Sequence, residues 1–237
     1  MYAEIFSSKE SADELIEKYE FLKKYNFNFF NELAKIDKKG KGINEECHSK
    51  ILAWLLNAKV NKKNSQYFFF RNFIKNLNGL NIENSSLDDF IHDLSKDVIV
   101  ETEFNNIDIF IYSKAMEFVC VIENKIDSGL GKDQLKRYMN FIDNSVYGQC
   151  KHKHFVYLRR YLDTKCSNDN TQIQSTGFQE MEYSDISKMI DETVLSKAEN
   201  ERMYFNILQY KEYLDLYWYD TVDNVWIEEA KELVNRL

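Results

Sequence analysis

Apolar residues in the first part of the chain recur at the spacing of an amphipathic helix. In NEECHSKILAWLLN they return every three or four positions, and Asn44 stands where a helix cap is expected. The stretches NSQYFFFRNFIKNL and SSLDDFIHDL show the same period, as does a region from about residue 9 to residue 35. The pattern therefore predicts that the chain begins with several helices.

The period then changes to that of β-strands. KDVIVETEF, NIDIFIYS and EFVCVIEN are three short runs rich in β-branched and aromatic residues. Their connections, around Asn105 and Lys114, are short, so we expect an antiparallel meander.

Helix and strand patterns alternate in the remainder of the chain. KDQLKRYMNFID has a helical apolar stripe, KHFVYLRR predicts a fourth strand, and GFQEMEYS predicts a short edge strand. Helix is predicted again from about Asp185, and from Asn200 to Leu237 with a break near residues 220–223.

The order helix, three strands, helix, strand is typical of an α/β fold in which helices cover a mixed central sheet. The helix between the third and fourth strands lets that pair run parallel. At 237 residues, the chain is expected to form one domain over 1–237. Its core would span about 43–161, with helical additions at 1–42 and 183–237.

Composition narrows the classes of function. The 31 basic and 39 acidic residues give a formal net charge of −8, which argues against a grip on nucleic acid by the whole surface. Lysine and arginine clusters at 38–41, 59–63 and 151–160 leave a local basic groove and solvated loops as alternatives. Four scattered cysteines without a CxxC pair, a charged amino-terminal stretch and no apolar run of about 20 residues favour a cytoplasmic protein with no membrane segment.

Charged side chains stand at the ends of two predicted strands. Alternation along VCVIENK places Glu123 and Lys125 on one face, and Asp108 lies among Ile and Phe in NIDIFI. A buried carboxylate such as Asp108 needs a cation or strong donors. If the two strands are neighbours, Asp108 and Glu123 can converge, with Lys125 alongside. Two carboxylates and a nearby peptide carbonyl suit Mg²⁺ or Mn²⁺. A lysine beside them suits phosphodiester hydrolysis, because it can orient a water and offset transition-state charge.

Two predicted helices present polar groups near the same sheet edge. The stripe that continues into Leu52 and Leu55 begins with Glu45, and Glu46 points about 100° away, so we expect Glu45 to face inward. His48 and Ser49 on that stripe favour a supporting or packing role over catalysis. The helix after the third strand carries three groups that can reach a phosphate or an attacking water: Gln134, Arg137 and Tyr138.

Other interpretations of these residues stay open. Asp108 and Lys125 can form a purely structural ion pair. Cys150, His152 and His154 alternate on one predicted strand and, with Cys166, suggest zinc, although zinc sites have tighter spacing. GLGKD lacks the residues of a phosphate loop. The aromatic run YKEYLDLYWYD favours a core or a dimer face over a platform for stacking bases.

These motifs together resemble the PD-(D/E)XK nuclease superfamily, in particular an uncharacterised bacterial and phage branch with HSxxLAWLL, IDI, IENKI and QLxRY motifs. The similarity covers residues 44–158 well. It implies a restriction-endonuclease-like fold and assigns a role to each residue of the site. The implied metal ligands are Asp108, Glu123, the backbone carbonyl of Asn124, and Glu45. Lys125 would be the catalytic lysine, and Gln134 would support the site. The chain departs from the branch at Asn106, where arginine is common, and in the segment 59–63, which lacks the usual Pro and Gly.

The resemblance implies a Mg²⁺- or Mn²⁺-dependent nuclease acting on DNA, with phage defence as an associated role and a homodimer as one assembly. A catalytically inactive member of the same fold that binds nucleic acid or a partner is the alternative from another class. A nuclease acting on RNA is a third. Retention of every acidic and lysine position favours an active enzyme over the inactive alternative.

Overall fold

The computed structural model describes residues 29–30, 43–58, 64–80, 82, 84–126, 128–160 and 167–215. The helix expected within 9–35 lies outside these ranges except at residues 29–30, which are helical. The basic segment 59–63, Cys166 and the chain after residue 215 also lie outside them.

The described elements begin with three helices and a run of three strands, and helices and strands alternate after that up to the last strand. In chain order they are α1 (Glu45–Leu56), α2 (Ser65–Lys75), α3 (Asn84–Asp97), β1 (Ile99–Phe104), β2 (Ile107–Ser113), β3 (Phe118–Lys125), α4 (Gln134–Asp143), β4 (His152–Arg159), α5 (Ser167–Thr176), β5 (Gln179–Glu182), α6 (Tyr183–Met189) and α7 (Glu192–Ser196). A 3₁₀ turn, Val146–Gln149, precedes β4, and residues 201–215 are helical. No helix in the described ranges is long and apolar enough to cross a bilayer.

The five strands form one mixed sheet in the order β1-β2-β3-β4-β5. β1, β2 and β3 are an antiparallel meander, as predicted. β3 and β4 run parallel because α4 carries the chain back across the sheet, and β5 joins β4 in parallel at the edge. The α/β fold class predicted from the pattern is therefore confirmed.

Two features differ from the sequence prediction. α5 was not predicted, because SNDNTQIQST has one large apolar residue, Ile173, and so shows no helical stripe. α6 begins at Tyr183 rather than near Asp185. The Asp185 carboxylate accepts a hydrogen bond from the backbone of Glu182 (3.0 Å), so this aspartate closes a capping box within the first turn and does not start the helix.

The turn between β1 and β2 explains one departure from the expected motif. Asn105 and Asn106 both have positive φ, 50° and 63°. A two-residue hairpin of this kind needs two left-handed residues, and asparagine tolerates that conformation better than arginine does. Asn106 therefore suits the turn that leads directly into β2 and Asp108.

The sheet separates two apolar cores, and each core packs one helix against one face of the sheet. The end of the sheet at which β3 terminates therefore lies between α1 and α4. One core packs the stripe of α1, including Leu52 and Leu55, against Ile109 and Ile122. The other packs the stripe of α4 against the opposite face, and its members include Leu135, Tyr138, Ile142, Phe110 and Val121. β3 is buried on both faces, so the charged residues at its end emerge between α1 and α4.

Candidate active site

Asp108 and Glu123 meet across the β2–β3 pair. The antiparallel register pairs Ile109 with Ile122, and its next step brings Asp108 opposite Glu123. The Asp108 carboxylate accepts a short hydrogen bond from the backbone nitrogen of Asn124 (2.6 Å), and Glu123 is completely buried. The alternation of the two strands thus brings two carboxylates together at the edge of the core.

Lys125 lies between two acids from different elements. Its ammonium nitrogen is 2.6 Å from Oε1 of Glu123 and 3.7 Å from Oε2 of Glu45, and its side chain is 12% exposed. Its ion-pair partners are thus Glu123 and Glu45 rather than Asp108. The direct Asp108–Lys125 ion pair considered from the sequence is therefore not among the contacts of Lys125.

The clustered charges shift one another's protonation. Burial, and then the neighbouring Asp108 carboxylate, raise the pKa of Glu123 to about 7. Burial also raises the pKa of Asp108, against the opposing effect of its hydrogen bond from Asn124. Burial lowers the pKa of Lys125, but the carboxylates of Glu123, Asp108 and Glu45 together raise it, so that pKa lies above its ordinary value. Lys125 is therefore a cation, whereas the two carboxylates at the sheet edge are held in an environment that disfavours their negative charge.

One oxygen of this cluster lacks a protein partner. Oε1 of Glu123 accepts hydrogen bonds from Lys125 and Gln134, but Oε2 is buried without any hydrogen-bond partner. A buried, unpartnered carboxylate oxygen beside a second carboxylate suits a divalent cation, which takes oxygen ligands. Mg²⁺ commonly uses one or two protein carboxylates and keeps several waters. Asp108 and Glu123 fit that donor set.

Metal sites with a larger number of side-chain ligands are absent from the described ranges. They hold no group of three or more His, Cys, Asp or Glu side chains placed to bind one ion. Cys150, His152 and His154 therefore do not form a zinc cluster among themselves, and Cys166 lies outside the described residues.

Glu45 comes from the start of α1 and reaches the loop after β3. Its Oε1 accepts from the backbone nitrogen of Ile126 (3.0 Å) and from the hydroxyl of Ser128 (2.8 Å). Glu46 instead points outward, where its side chain is 56% exposed and pairs with Lys50. The cap at Asn44, whose side chain accepts from the backbone of Cys47 (2.8 Å), fixes where α1 begins and hence which glutamate faces Lys125.

Gln134 connects Glu123 to α4. Its amide nitrogen lies 2.6 Å from Oε1 of Glu123 and 2.8 Å from the hydroxyl of Tyr138. That hydroxyl donates to the carbonyl of Asn106 (2.5 Å), in the turn before Asp108. Arg137 is exposed and donates to the carbonyl of Lys132, so it lies on the outside of the helix rather than in this cluster.

The side chain of Asn124 has a structural function that sequence reasoning missed. Its amide donates to the carbonyl of Glu45 (3.1 Å) and to the hydroxyl of Ser49 (3.0 Å), and its oxygen accepts from Tyr183 (2.8 Å). Both N–H donors of this fully buried amide and one lone pair of its oxygen are thereby used. Asn124 therefore ties the end of β3 to α1 and α6, a function that only the fold reveals because its partners are far apart in sequence.

His48 belongs to the interior and not to the charged cluster. It is 1% exposed, lies 2.8 Å from the hydroxyl of Tyr210 through Nδ1, and packs edge-to-face on the ring of Tyr183. Ser49 is likewise buried, as a partner of Asn124. Both residues support the packing of α1, in agreement with the role favoured from the sequence.

The burial of His48 predicts a pH dependence of stability. Burial lowers its pKa to about 3, whereas an unfolded histidine titrates near 6.5. Between these values the unfolded chain binds a proton that the folded chain refuses, so the free energy of unfolding falls as pH falls. Urea unfolding of wild type and His48→Phe should show a wild-type loss about 1.5 kcal/mol larger between pH 6.5 and pH 5. Parallel losses in the two proteins would mean that folded His48 accepts the proton.

Comparison with known proteins gives one family. A family model described as the PD-(D/E)XK nuclease superfamily matches residues 27–212, which is more than half of the chain. The matched range includes Glu45, Asp108, Glu123, Lys125 and Gln134. No curated protein and no solved structure matches the chain significantly.

Proposed function

The chain belongs to the PD-(D/E)XK nuclease superfamily, and from this membership we propose that it is a divalent-metal-dependent nuclease that hydrolyses phosphodiester bonds of DNA. Members of the superfamily are generally nucleases that use divalent metal ions. The observation that carries the proposal is the unpartnered, buried Oε2 of Glu123 beside Asp108 and Lys125.

Asp108 and Glu123 are proposed to hold the ion, Mg²⁺ or Mn²⁺, with the backbone carbonyl of Asn124 as a further oxygen ligand. Glu45, which the resemblance implied as another ligand, bonds the loop after β3 and Lys125 through its two oxygens, and we propose that it holds Lys125 rather than the ion. When bound, such an ion supplies Lewis-acid stabilisation of the charge on a phosphoryl group and lowers the pKa of a water. The raised pKa values of Glu123 and Asp108 support this assignment, because a cation at that point would relieve the burial of two negative charges.

Lys125 is proposed to act on the reacting groups without being a ligand. A protonated amine offers only donors, so it can orient the attacking water and donate to a non-bridging phosphate oxygen as negative charge develops. Glu123 and Glu45 hold that ammonium in place (2.6 and 3.7 Å). Gln134 donates to the same Oε1 from α4, so Oε2 of Glu123 is the oxygen that is left without a donor.

The proposal is tested by incubating the full chain with supercoiled plasmid, linear duplex DNA, single-stranded DNA and single-stranded RNA. We expect cleavage of DNA with Mg²⁺ or Mn²⁺ and none with EDTA. Cleavage of RNA alone would replace DNA by RNA as the substrate. Binding of nucleic acid without cleavage under any of these conditions would favour the inactive alternative.

A further inference from the structure

Another buried carboxylate lies outside the Asp108–Glu123 pair. Asp169, in the first turn of α5, is 5% exposed. Its Oδ1 accepts from the backbone nitrogen of Leu130 (3.1 Å), and its Oδ2 accepts from the hydroxyl of Tyr157 on β4 (3.1 Å). Burial of a carboxylate is costly even when donors compensate it. Apolar packing alone therefore does not account for the buried position of this carboxylate.

The segment that Asp169 contacts is residues 128–131, called here the loop 128–131, which is part of the connection between β3 and α4. At its start, the hydroxyl of Ser128 donates to Glu45 (2.8 Å). At its end, the backbone nitrogen of Gly131 donates to the side-chain oxygen of Gln134 (2.9 Å). Both Glu45 and Gln134 thus take part of their orientation from this loop.

α5 contacts the loop at a second point. The side-chain amide of Gln172, one turn after Asp169, donates to the carbonyl of Gly131 (3.1 Å). Asp169 and Gln172 together therefore fix a backbone donor at Leu130 and a backbone acceptor at Gly131. The two contacts clamp the loop from one side, while Glu45 and Gln134 hold it from the other.

We propose that Asp169 is a positioning residue, which with Gln172 clamps the loop 128–131 and thereby holds Glu45 in its orientation beside Lys125 and Gln134 in its orientation beside Glu123. The inference rests on the proposed function, because Glu45 and Gln134 belong to the machinery proposed there. The physical reason is conformational entropy. Without the contacts to Asp169 and Gln172, the loop would sample several backbone states, and each state would move the donors at Ser128 and Gly131 that orient the two side chains. Displacing side chains that orient the reacting groups lowers kcat more than it weakens substrate binding.

The test is amide hydrogen exchange on the metal-free full chain, together with steady-state cleavage of DNA. In Asp169→Ala, exchange in a peptide covering 128–131 should rise about tenfold over wild type, while β3 and β4 keep their protection. kcat should fall about tenfold with KM nearly unchanged. Asp169→Asn should restore both readouts, because an amide oxygen can accept from Leu130 and an amide nitrogen can donate to Tyr157.

Two further variants keep the test decisive. Gln172→Ala removes only the contact with Gly131 and sits on a partly exposed side of α5, so it should fold and loosen the loop less than Asp169→Ala. Tyr157→Phe removes the other partner of Asp169 and should leave the loop protected. The clamp is overturned by unchanged exchange in both Asp169→Ala and Gln172→Ala, by equal loosening of the whole sheet, or by a loosened loop with wild-type kcat. If wild type cleaves nothing, the proposed function falls, and the exchange pattern still decides whether Asp169 holds the loop.

Discussion

Replacing Lys125 by alanine should reduce DNA cleavage by at least about a hundredfold while leaving metal binding nearly intact. The ammonium is 2.6 Å from Glu123 and therefore within reach of a water or phosphate oxygen at that carboxylate. Its loss removes a donor for developing negative charge, but it removes no ligand, since a protonated amine has no lone pair to offer. At pH 8, Mn²⁺ affinity should stay within about tenfold of wild type by titration calorimetry.

A matched lysine separates this effect from a general loss of surface charge. Lys153 also pairs with a carboxylate, Asp143 at 2.9 Å, but its β4 position is opposite Val119, six residues before Lys125 on β3. At about 3.3 Å per residue the two lysines are about 20 Å apart along the sheet. Lys153→Ala should therefore cleave at the wild-type rate. Wild-type cleavage by Lys125→Ala would instead remove the lysine from the mechanism and strengthen the inactive alternative.

The strand pattern predicts the convergence of the two carboxylates for a simple reason. Side chains alternate with period two, and a short connection forces neighbouring strands to pair, so Asp108 and Glu123 have little freedom to lie elsewhere. The helical period similarly predicts that Glu45 and not Glu46 faces the sheet, and the structure orients them in that way. Local periodicity is sufficient wherever the partner of a residue lies on an adjacent strand or on the next turn of a helix.

Contacts between distant segments do not follow from such patterns. Asn124 is bonded to Ser49 and Tyr183, which lie 75 and 59 residues away, and no periodicity specifies those pairings. Asp169 lies on a helix whose polar sequence carries no apolar stripe, so neither the helix nor its grip on Leu130 was expected. The groups that hold the candidate site together are therefore harder to predict than the groups proposed to act in it, because their partners are set by tertiary packing.

Replacing Asp108 by asparagine should abolish cleavage and strongly weaken metal binding, but it should stabilise the metal-free protein. The pKa of Asp108 is raised by burial, and that residue in turn raises the pKa of Glu123, so the fold bears two mutually repelling carboxylates. The new amide keeps an oxygen for the backbone of Asn124, which donates at 2.6 Å, and removes one of the two charges. The melting temperature without metal should rise by about 3 °C, which corresponds to about 1 kcal/mol. Divalent affinity should fall by at least about a hundredfold, because a direct ligand is lost.

Asp97 provides the control, because the hydrogen-bond partners of its carboxylate include no second acid. Asp97 accepts from the hydroxyl of Ser113 (2.5 Å) and from the backbone of Ala115 (3.0 Å), so its oxygens already meet donors. Asp97→Asn should therefore leave the melting temperature unchanged or lower it, and should leave Mn²⁺ affinity as in wild type. Calorimetric titration and thermal unfolding of both variants, each with and without Mn²⁺, separate the two cases. A lower melting temperature with wild-type Mn²⁺ affinity in Asp108→Asn would show that Asp108 serves the fold through its bond to Asn124. Stability gained where function is lost would instead show that the fold tolerates an unfavourable pair of charges for the sake of the ion they bind.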